Sequence, residues 1–247
     1  MLLEVAVNGA REPREHRALP ILPEQVAEAI RAARAAGAGA AHFHVRGPDG
    51  RGSLDPASVA AAVTAVRAAC GASPIGVSTG AWIVPDPRER AALVAAWRVR
   101  PDFASVNFDE AGAEEVARAL VSSGVGVEAG LVNAAAARRL AAGALAPACL
   151  RVLLEPQEPD LVDALRQVRA IEAELDAAGV ALPRLLHGVG PTAWPLLAEA
   201  ARCGYDARIG LEDTLTLPDG VVARDNAALV AAARVALEGK LDPLVDG

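Results

Sequence analysis

The chain has 247 residues, 53% of them hydrophobic and 22% charged, which is ample apolar material for the core of one large domain. A formal net charge of −7 argues against a general nucleic-acid surface, and no run of 18 apolar residues is present to cross a membrane. Three widely spaced cysteines, Cys70, Cys149 and Cys203, include no CxxC pair and exclude a disulfide framework, favouring buried thiols in a reducing compartment.

In chain order, short apolar or β-branched runs alternate with longer alanine-rich segments of helical character. Eight strands are predicted, at 4–9, 41–46, 75–79, 103–108, 126–131, 150–155, 184–189 and 206–211, each followed by a helix. Helix starts are marked by Leu22-Pro23-Glu24-Gln25 and by Asp55-Pro56 and Asp86-Pro87, where an Asp cap precedes a proline in the first turn. Gly37, Gly71, Gly179 and Gly204 fall where helices should end. No linker or low-complexity block divides the repeats. The expectation is a single-domain α/β TIM (β/α)8 barrel spanning 1–247. With no basic n-region after Met1 to suggest a signal peptide, the expected location is cytoplasmic.

In such a barrel the active site lies at the C-terminal ends of the strands. Polar residues sit at nearly every one. The first strand ends in Asn8-Gly9-Ala10-Arg11-Glu12, and the second carries His42-Phe43-His44-Val45-Arg46. Ser78-Thr79 closes the third strand and Ser105-Val106-Asn107 the fourth, while Glu128 lies on the fifth and Glu155 on the sixth. His187 ends the seventh, and Arg208-Ile209-Gly210-Leu211-Glu212-Asp213 ends the eighth. Burying polar groups at so many strand ends is costly unless they serve a site.

His42 and His44 alternate along a strand, so both rings face one side with Cα atoms roughly 6.6 Å apart. That spacing suits two imidazoles on one zinc, and it equally suits two satisfied core histidines. A third ligand from another strand end would decide. Glu212 is the best placed, two strands away around the closed barrel; Glu128 and Glu155 are rivals, and His187 is either a fourth ligand or a hydrogen-bond donor. If the eighth strand runs straight to Glu212, Asp213 points away, so a turn after Gly210 or Glu212 is needed to bring it in. Arg208 could grip Asp213 or a substrate carboxylate bidentately. The Gly188-Val189-Gly190 loop is a weak phosphate signal that a tight turn explains equally well. Lys240 is the only lysine and lies near the C-terminus, which disfavours imine chemistry and makes a metal the expected electrophile.

The set Asn8-Gly9-Ala10, His42-Phe43-His44-Val45-Arg46-Gly47-Pro48-Asp49-Gly50, Ser78-Thr79-Gly80, Ser105-Val106-Asn107 and Gly210-Leu211-Glu212-Asp213 resembles the β-keto acid cleavage enzymes along nearly the whole chain. The resemblance implies an oligomeric TIM barrel, here a homo-oligomer, with a divalent metal, typically zinc. It also implies condensation of a β-keto acid with acetyl-CoA, releasing acetoacetate and a new acyl-CoA. Carried over by motif, His42, His44 and Glu212 would hold the metal, and Asp213, paired with Arg208, would be the base. Ser78 and Thr79 would hold the substrate carboxylate, Asn107 would line the pocket and Glu12 would read the substrate's distal end, for which Asp109, Glu110 and Glu128 are also available by position. Two positions depart from the family pattern: Gly47 stands where aspartate is common, and Thr214 where asparagine is frequent. The residues alone leave open a CoA-independent metal lyase of the class II aldolase kind, or a metal-binding protein with a closed site.

Overall fold

The computed structural model describes residues 1–239; Lys240, the only lysine, lies outside the described residues. Eight parallel strands close into a barrel in sequence order: β1 (Leu3–Ala6), β2 (Ala40–Phe43), β3 (Ile75–Ser78), β4 (Phe103–Asn107), β5 (Gly126–Leu131), β6 (Arg151–Leu154), β7 (Arg184–Leu186) and β8 (Asp206–Ile209). Between and after them run helices α1 (Pro23–Ala35), α2 (Pro56–Cys70), α3 (Pro87–Ala95), α4 (Ala113–Ser122), α5 (Ala134–Ala142), α6 (Leu161–Ala177), α7 (Ala193–Cys203) and α8 (Asn226–Leu237). The predicted TIM barrel is the observed fold. No helix among the described residues is long and apolar enough to cross a membrane.

Local chemistry sets the helix ends. The Asp55 carboxylate accepts from the N–H groups of Ala57 and Ser58, and Asp86 does the same for Arg88 and Glu89. Proline fills the first helical position after each cap, where no intrahelical donor is needed. Several predicted strands overrun the observed ones at the C-terminal end. β1 stops at Ala6 rather than 9, and β2 at Phe43 rather than 46. The cause is visible at Asn8, whose amide oxygen accepts from His44 N–H (2.8 Å) and whose amide nitrogen donates to the carbonyls of His44 and Pro20 (both 3.0 Å). A side chain thus takes over where the ladder would have continued, and the chain splays into a rim loop.

Alternation along each strand separates two chemistries. Val5, Ala41, Phe43, Ile75, Val77, Ala104, Val106, Val127, Leu131, Val152, Leu154 and Ile209 belong to the apolar core between barrel and helices. Burying each of the larger ones stabilises by roughly 1.5–3 kcal/mol. The opposite parity faces the barrel interior, and much of it is charged. Arg151 on β6 reaches across to Glu128 on β5 (2.5 Å) and Glu4 on β1 (3.0 Å), with its guanidinium 5.2 Å from the Phe103 ring centroid. Both carboxyls are fully buried. Burial, and then the neighbouring charge of Glu128, lift Glu4 well above the usual carboxylate range. Burial also raises Glu128, although Arg151 pulls it back.

Candidate active site

The site is assembled on the rim above this charged layer. His42 pairs in register with Ala6 on β1 and Gly76 on β3. His44 lies just past the end of β2, edge-on to His42 with ring centroids 5.5 Å apart. Burial pushes the His42 imidazole down to about 3, so the ring is neutral at working pH with a lone pair to give.

Glu212 enters from a turn after β8. The N–H groups of Asp213 and Thr214 both donate to the Gly210 carbonyl (2.9 and 3.0 Å), and Glu212 N–H donates to Ala6 O (3.1 Å). A Cβ on Gly210 would lie 1.9 Å from the Ala6 carbonyl oxygen, so only glycine lets the turn press against β1. This is the turn that the sequence required if Asp213 was to face inward. Arg11 and Asn226 fasten it, the first donating to Leu211 O (2.6 Å), the second bridging Leu211 N–H and Val7 O (2.8 and 2.9 Å). On the other side Gly9, at φ +57°, has its missing Cβ position only 2.5 Å from Glu212 Cγ. Gly9→Ala is expected to push Glu212 aside and to strain the backbone by about 1–2 kcal/mol. Divalent-metal affinity should fall along with thermal stability, both measurable by titration and melting; unchanged affinity would show that Gly9 does not set the Glu212 position.

His42, His44 and Glu212 each bring a donor atom within 4.8 Å of the other two. His44 Nε2 and Glu212 Oε1 are 3.5 Å apart. Donors on a tetrahedral zinc at 2.0–2.2 Å stand roughly 3.3 Å from one another, so small side-chain rotations suffice. His42 Nδ1 and Glu212 Oε2 are buried with no hydrogen-bond partner. Burial would raise the Glu212 carboxyl, but Arg208 and His44 outweigh it and hold it well below the usual range, as an anion. Two imidazoles and one carboxylate fit a divalent ion.

Arg208 Nη2 donates to Glu212 Oε1 (3.1 Å) and Asp213 Oδ1 (2.7 Å), clamping adjacent carboxylates. Asp213 is fully buried and its Oδ2 has no partner. His187 stands between Asp213 Oδ1 (3.5 Å) and Glu155 Oε2 (3.4 Å). Burial and Arg208 oppose its charge, yet the two flanking carboxyls prevail and raise its pKa. His187 and Glu155 thus pair with each other, apart from the His42–His44–Glu212 grouping.

A cavity of about 360 Å³ opens over these groups, with Ser78, Ser105, Asn107, Trp82, Asp109, Glu110 and Glu155 among its walls. Three expected substrate contacts are not brought to it. Glu128 lies deeper in the barrel, held by Arg151, because the parity of β5 sends it to the interior one layer below the rim. Glu12 is 61% exposed on the loop after β1 and pairs with Arg14. The Thr79 hydroxyl donates to Ser105 O (2.7 Å), since Thr79 has the opposite parity to Ser78. The Gly188–Gly190 loop offers no phosphate cradle: Gly190 N–H donates to Asp213 O (2.7 Å) and Thr192 caps Val189 N–H. Trp82 escaped sequence reasoning. Its ring stacks on His44 at 5.9 Å between centroids, yet nothing in the strand-end polarity pattern points to a loop tryptophan. Glu110 tethers Asn107 (3.1 Å) and accepts from Ala81 N–H (2.8 Å).

Gly47 lies in a tight hairpin in which its N–H donates to Arg51 O (2.7 Å), and the Thr214 hydroxyl accepts from Thr216 N–H (3.2 Å) to close the turn after β8.

Comparison with known proteins places this geometry. The β-keto acid cleavage enzyme family model matches residues 1–242. The 3-keto-5-aminohexanoate cleavage enzyme of Fusobacterium nucleatum subsp. nucleatum is 24% identical over 93% of this chain and 88% of its own length. Among solved structures, the ternary complex of ObcA with a C4-CoA adduct and oxalate superposes with a TM-score of 0.72 at 21% identity, covering 90% of this chain. This chain spans 64% of that one. The 3-hexulose-6-phosphate synthase of Salmonella typhimurium shares the fold at a TM-score of 0.60 and 12% identity, covering 98% of this chain and all of that one. With its family model matched from end to end of the barrel, the chain belongs to the β-keto acid cleavage enzyme family.

Proposed function

We propose that the protein is a divalent-metal enzyme, with zinc the expected ion, that condenses a 3-keto acid with acetyl-CoA. In net terms R–CO–CH2–COO⁻ and CH3–CO–SCoA give R–CO–SCoA and acetoacetate, with no electrons gained or lost. The observation that carries this reading is the convergence of His42, His44 and Glu212 beside a buried carboxyl, Asp213, that keeps one oxygen free.

A divalent ion held there would supply Lewis-acid polarisation of the keto carbonyl. The chain's own groups do the rest. Asp213 Oδ2 takes the C2 proton of the keto acid, and the carbanion so formed adds to the acetyl-CoA carbonyl and expels the CoA thiolate. The thiolate then adds to the R–CO carbon, the C2–C3 bond breaks to give R–CO–SCoA, and the acetoacetate carbanion takes the proton back from Asp213. Arg208 fixes Asp213 through Oδ1, leaving Oδ2 free to act as the base, and its positive charge holds the Glu212 carboxyl below its ordinary range. Ser78 on β3 and Asn107 on β4, both lining the cavity, would receive the substrate carboxylate. Trp82 stacks on His44 in the wall of the cavity. No lysine lies among the described residues, in keeping with a mechanism that needs no imine.

The test is acetoacetate formation from acetyl-CoA and a panel of 3-keto acids of differing charge and length. Turnover should require metal, stop on chelation and return when the ion is restored. Cleavage that proceeds without CoA would move the assignment to an aldolase-type lyase.

A further inference from the structure

Across Trp82 from the metal pocket lies a second cavity, of about 450 Å³, walled by the loop after β1 and the hairpin after β2. Its charged walls are Arg11, Arg46 and Arg51, against a single carboxylate, Glu12. Glu12 is occupied by Arg14 at 2.8 Å, and Arg11 by Glu15 at 2.9 Å. Arg46 and Arg51 have no such partner. Arg46 is half-buried; its Nη2 donates only to the carbonyls of Gly9 and Arg11 (2.6 and 2.9 Å), and its Nε is buried with no acceptor. The side chain of Arg51 makes no hydrogen bond or ion pair among the described residues. Its backbone is nonetheless fixed, because Gly47 N–H donates to Arg51 O and Arg46 bridges to Gly52.

Arg51, which has no carboxylate partner, and Arg46, which feels the Glu212 carboxylate through space but makes no ion pair with it, face one cavity in a chain of net charge −7 and form a place where an oxyanion gains charge-assisted hydrogen bonds. The cavity is also directional with respect to the metal pocket. Trp82 belongs to both walls, and its ring leaves the residue 54% exposed while it stacks on His44. The metal pocket itself carries Asp109, Glu110 and Glu155 in its lining, which repel an anion. A ligand whose reactive end sits over His42 and His44 would therefore send a negatively charged far end over Trp82.

We propose that this arginine-lined cavity seats an oxyanion carried by a ligand of the metal pocket, either the phosphates of a CoA thioester or a second carboxylate on the 3-keto acid. The proposal rests on the reading of the metal pocket given above. It is tested by calorimetric titration of the metal-loaded protein with desulfo-CoA, which has no thiol to reach the metal, and with adipate set against hexanoate. Arg51→Glu is expected to weaken one anionic probe by about tenfold or more, as one lost charge-assisted contact would. Arg51→Lys should weaken it less, and Arg98→Glu, exposed at the other end of the barrel before β4, not at all. Weakened desulfo-CoA identifies the phosphates; weakened adipate with unchanged hexanoate identifies a diacid. The proposal is overturned if Arg51→Glu binds every probe as the unaltered protein does. It is equally overturned if the unaltered protein ignores desulfo-CoA and binds adipate no better than hexanoate. Arg51 makes no internal side-chain contact, so the variants should fold, and melting curves check this. Failure of the metal-pocket reading would look different: no keto acid would give acetoacetate, while the charge dependence of probe binding persisted.

Discussion

Glu212→Gln is expected to weaken divalent-metal binding by more than about a hundredfold and to abolish acetoacetate formation, because loss of a group merely supporting a ligand already costs 10–100-fold. The amide removes the negative charge that sits 3.5 Å from His44 and 3.1 Å from Arg208. It also leaves Arg208 with Asp213 alone. Competition against a chromogenic chelator would read the affinity, and circular dichroism would confirm the fold. Asp213→Asn makes the contrast, since it should leave metal affinity nearly intact while turnover is lost. If Glu212→Gln bound metal as tightly as the unaltered chain, the ion would belong elsewhere. The grouping of Glu4, His42 and Glu128, whose donor atoms also lie within 4.8 Å of one another, would then be the place to look.

The largest expected effect on stability is that of Arg151→Met, a loss of about 3–5 kcal/mol from leaving buried carboxyls without their cation. At about 2–4 °C per kcal/mol for a chain of this size, the melting midpoint should fall by roughly 6–20 °C. The loss should depend on pH. Glu4 and Glu128 both titrate above their ordinary value in the folded protein, so the native state holds protons that the unfolded chain releases. That contribution is complete in acid and fades as pH rises through the raised values. Without Arg151 the penalty for ionising the pair grows, so the variant should be closer to the unaltered protein at pH 5 than at pH 8. Adding Glu4→Gln and Glu128→Gln to Arg151→Met removes the stranded charge and should recover most of the loss. A flat pH profile, or no recovery, would mean that Arg151 contributes packing over Phe103 rather than charge.

The barrel was legible because its signals are local and repeated. Outward strand positions such as Val5, Phe43, Val77 and Val152 are apolar, and Asp-Pro pairs mark two helix starts. The meeting of His42, His44 and Glu212 was also legible, because closure of the sheet makes β8 and β2 both neighbours of β1. What stayed hidden depends on side-chain parity and depth. Glu128 and Glu155 look alike as acids on adjacent strands, yet one pairs with Arg151 in the barrel interior and the other lines the rim cavity. Thr79 follows Ser78 directly, and that single step turns it out of the pocket. Trp82 and the arginine cavity belong to loops, where contacts are set by hairpin geometry that no periodicity announces. Glu4 sits in an apolar N-terminal run, and its partner Arg151 lies 147 residues further on.

That last separation bears on how the chain folds. Barrels of parallel strands are rich in distant contacts and fold slowly as a class. Here the interior charges add a penalty for stopping halfway. A chain with β5 and β6 docked but β1 and β8 still free would hold Arg151 without Glu4 or Asp206 beside it. The first and last strands must arrive together, and their arrival is also marked by Leu2 N–H donating to the Asp206 carboxylate across 204 residues. Half-barrels of this chain should therefore be poor folding units. Amide hydrogens of β1 and β8 are expected to exchange only when the whole molecule opens, rather than fraying as terminal strands usually do.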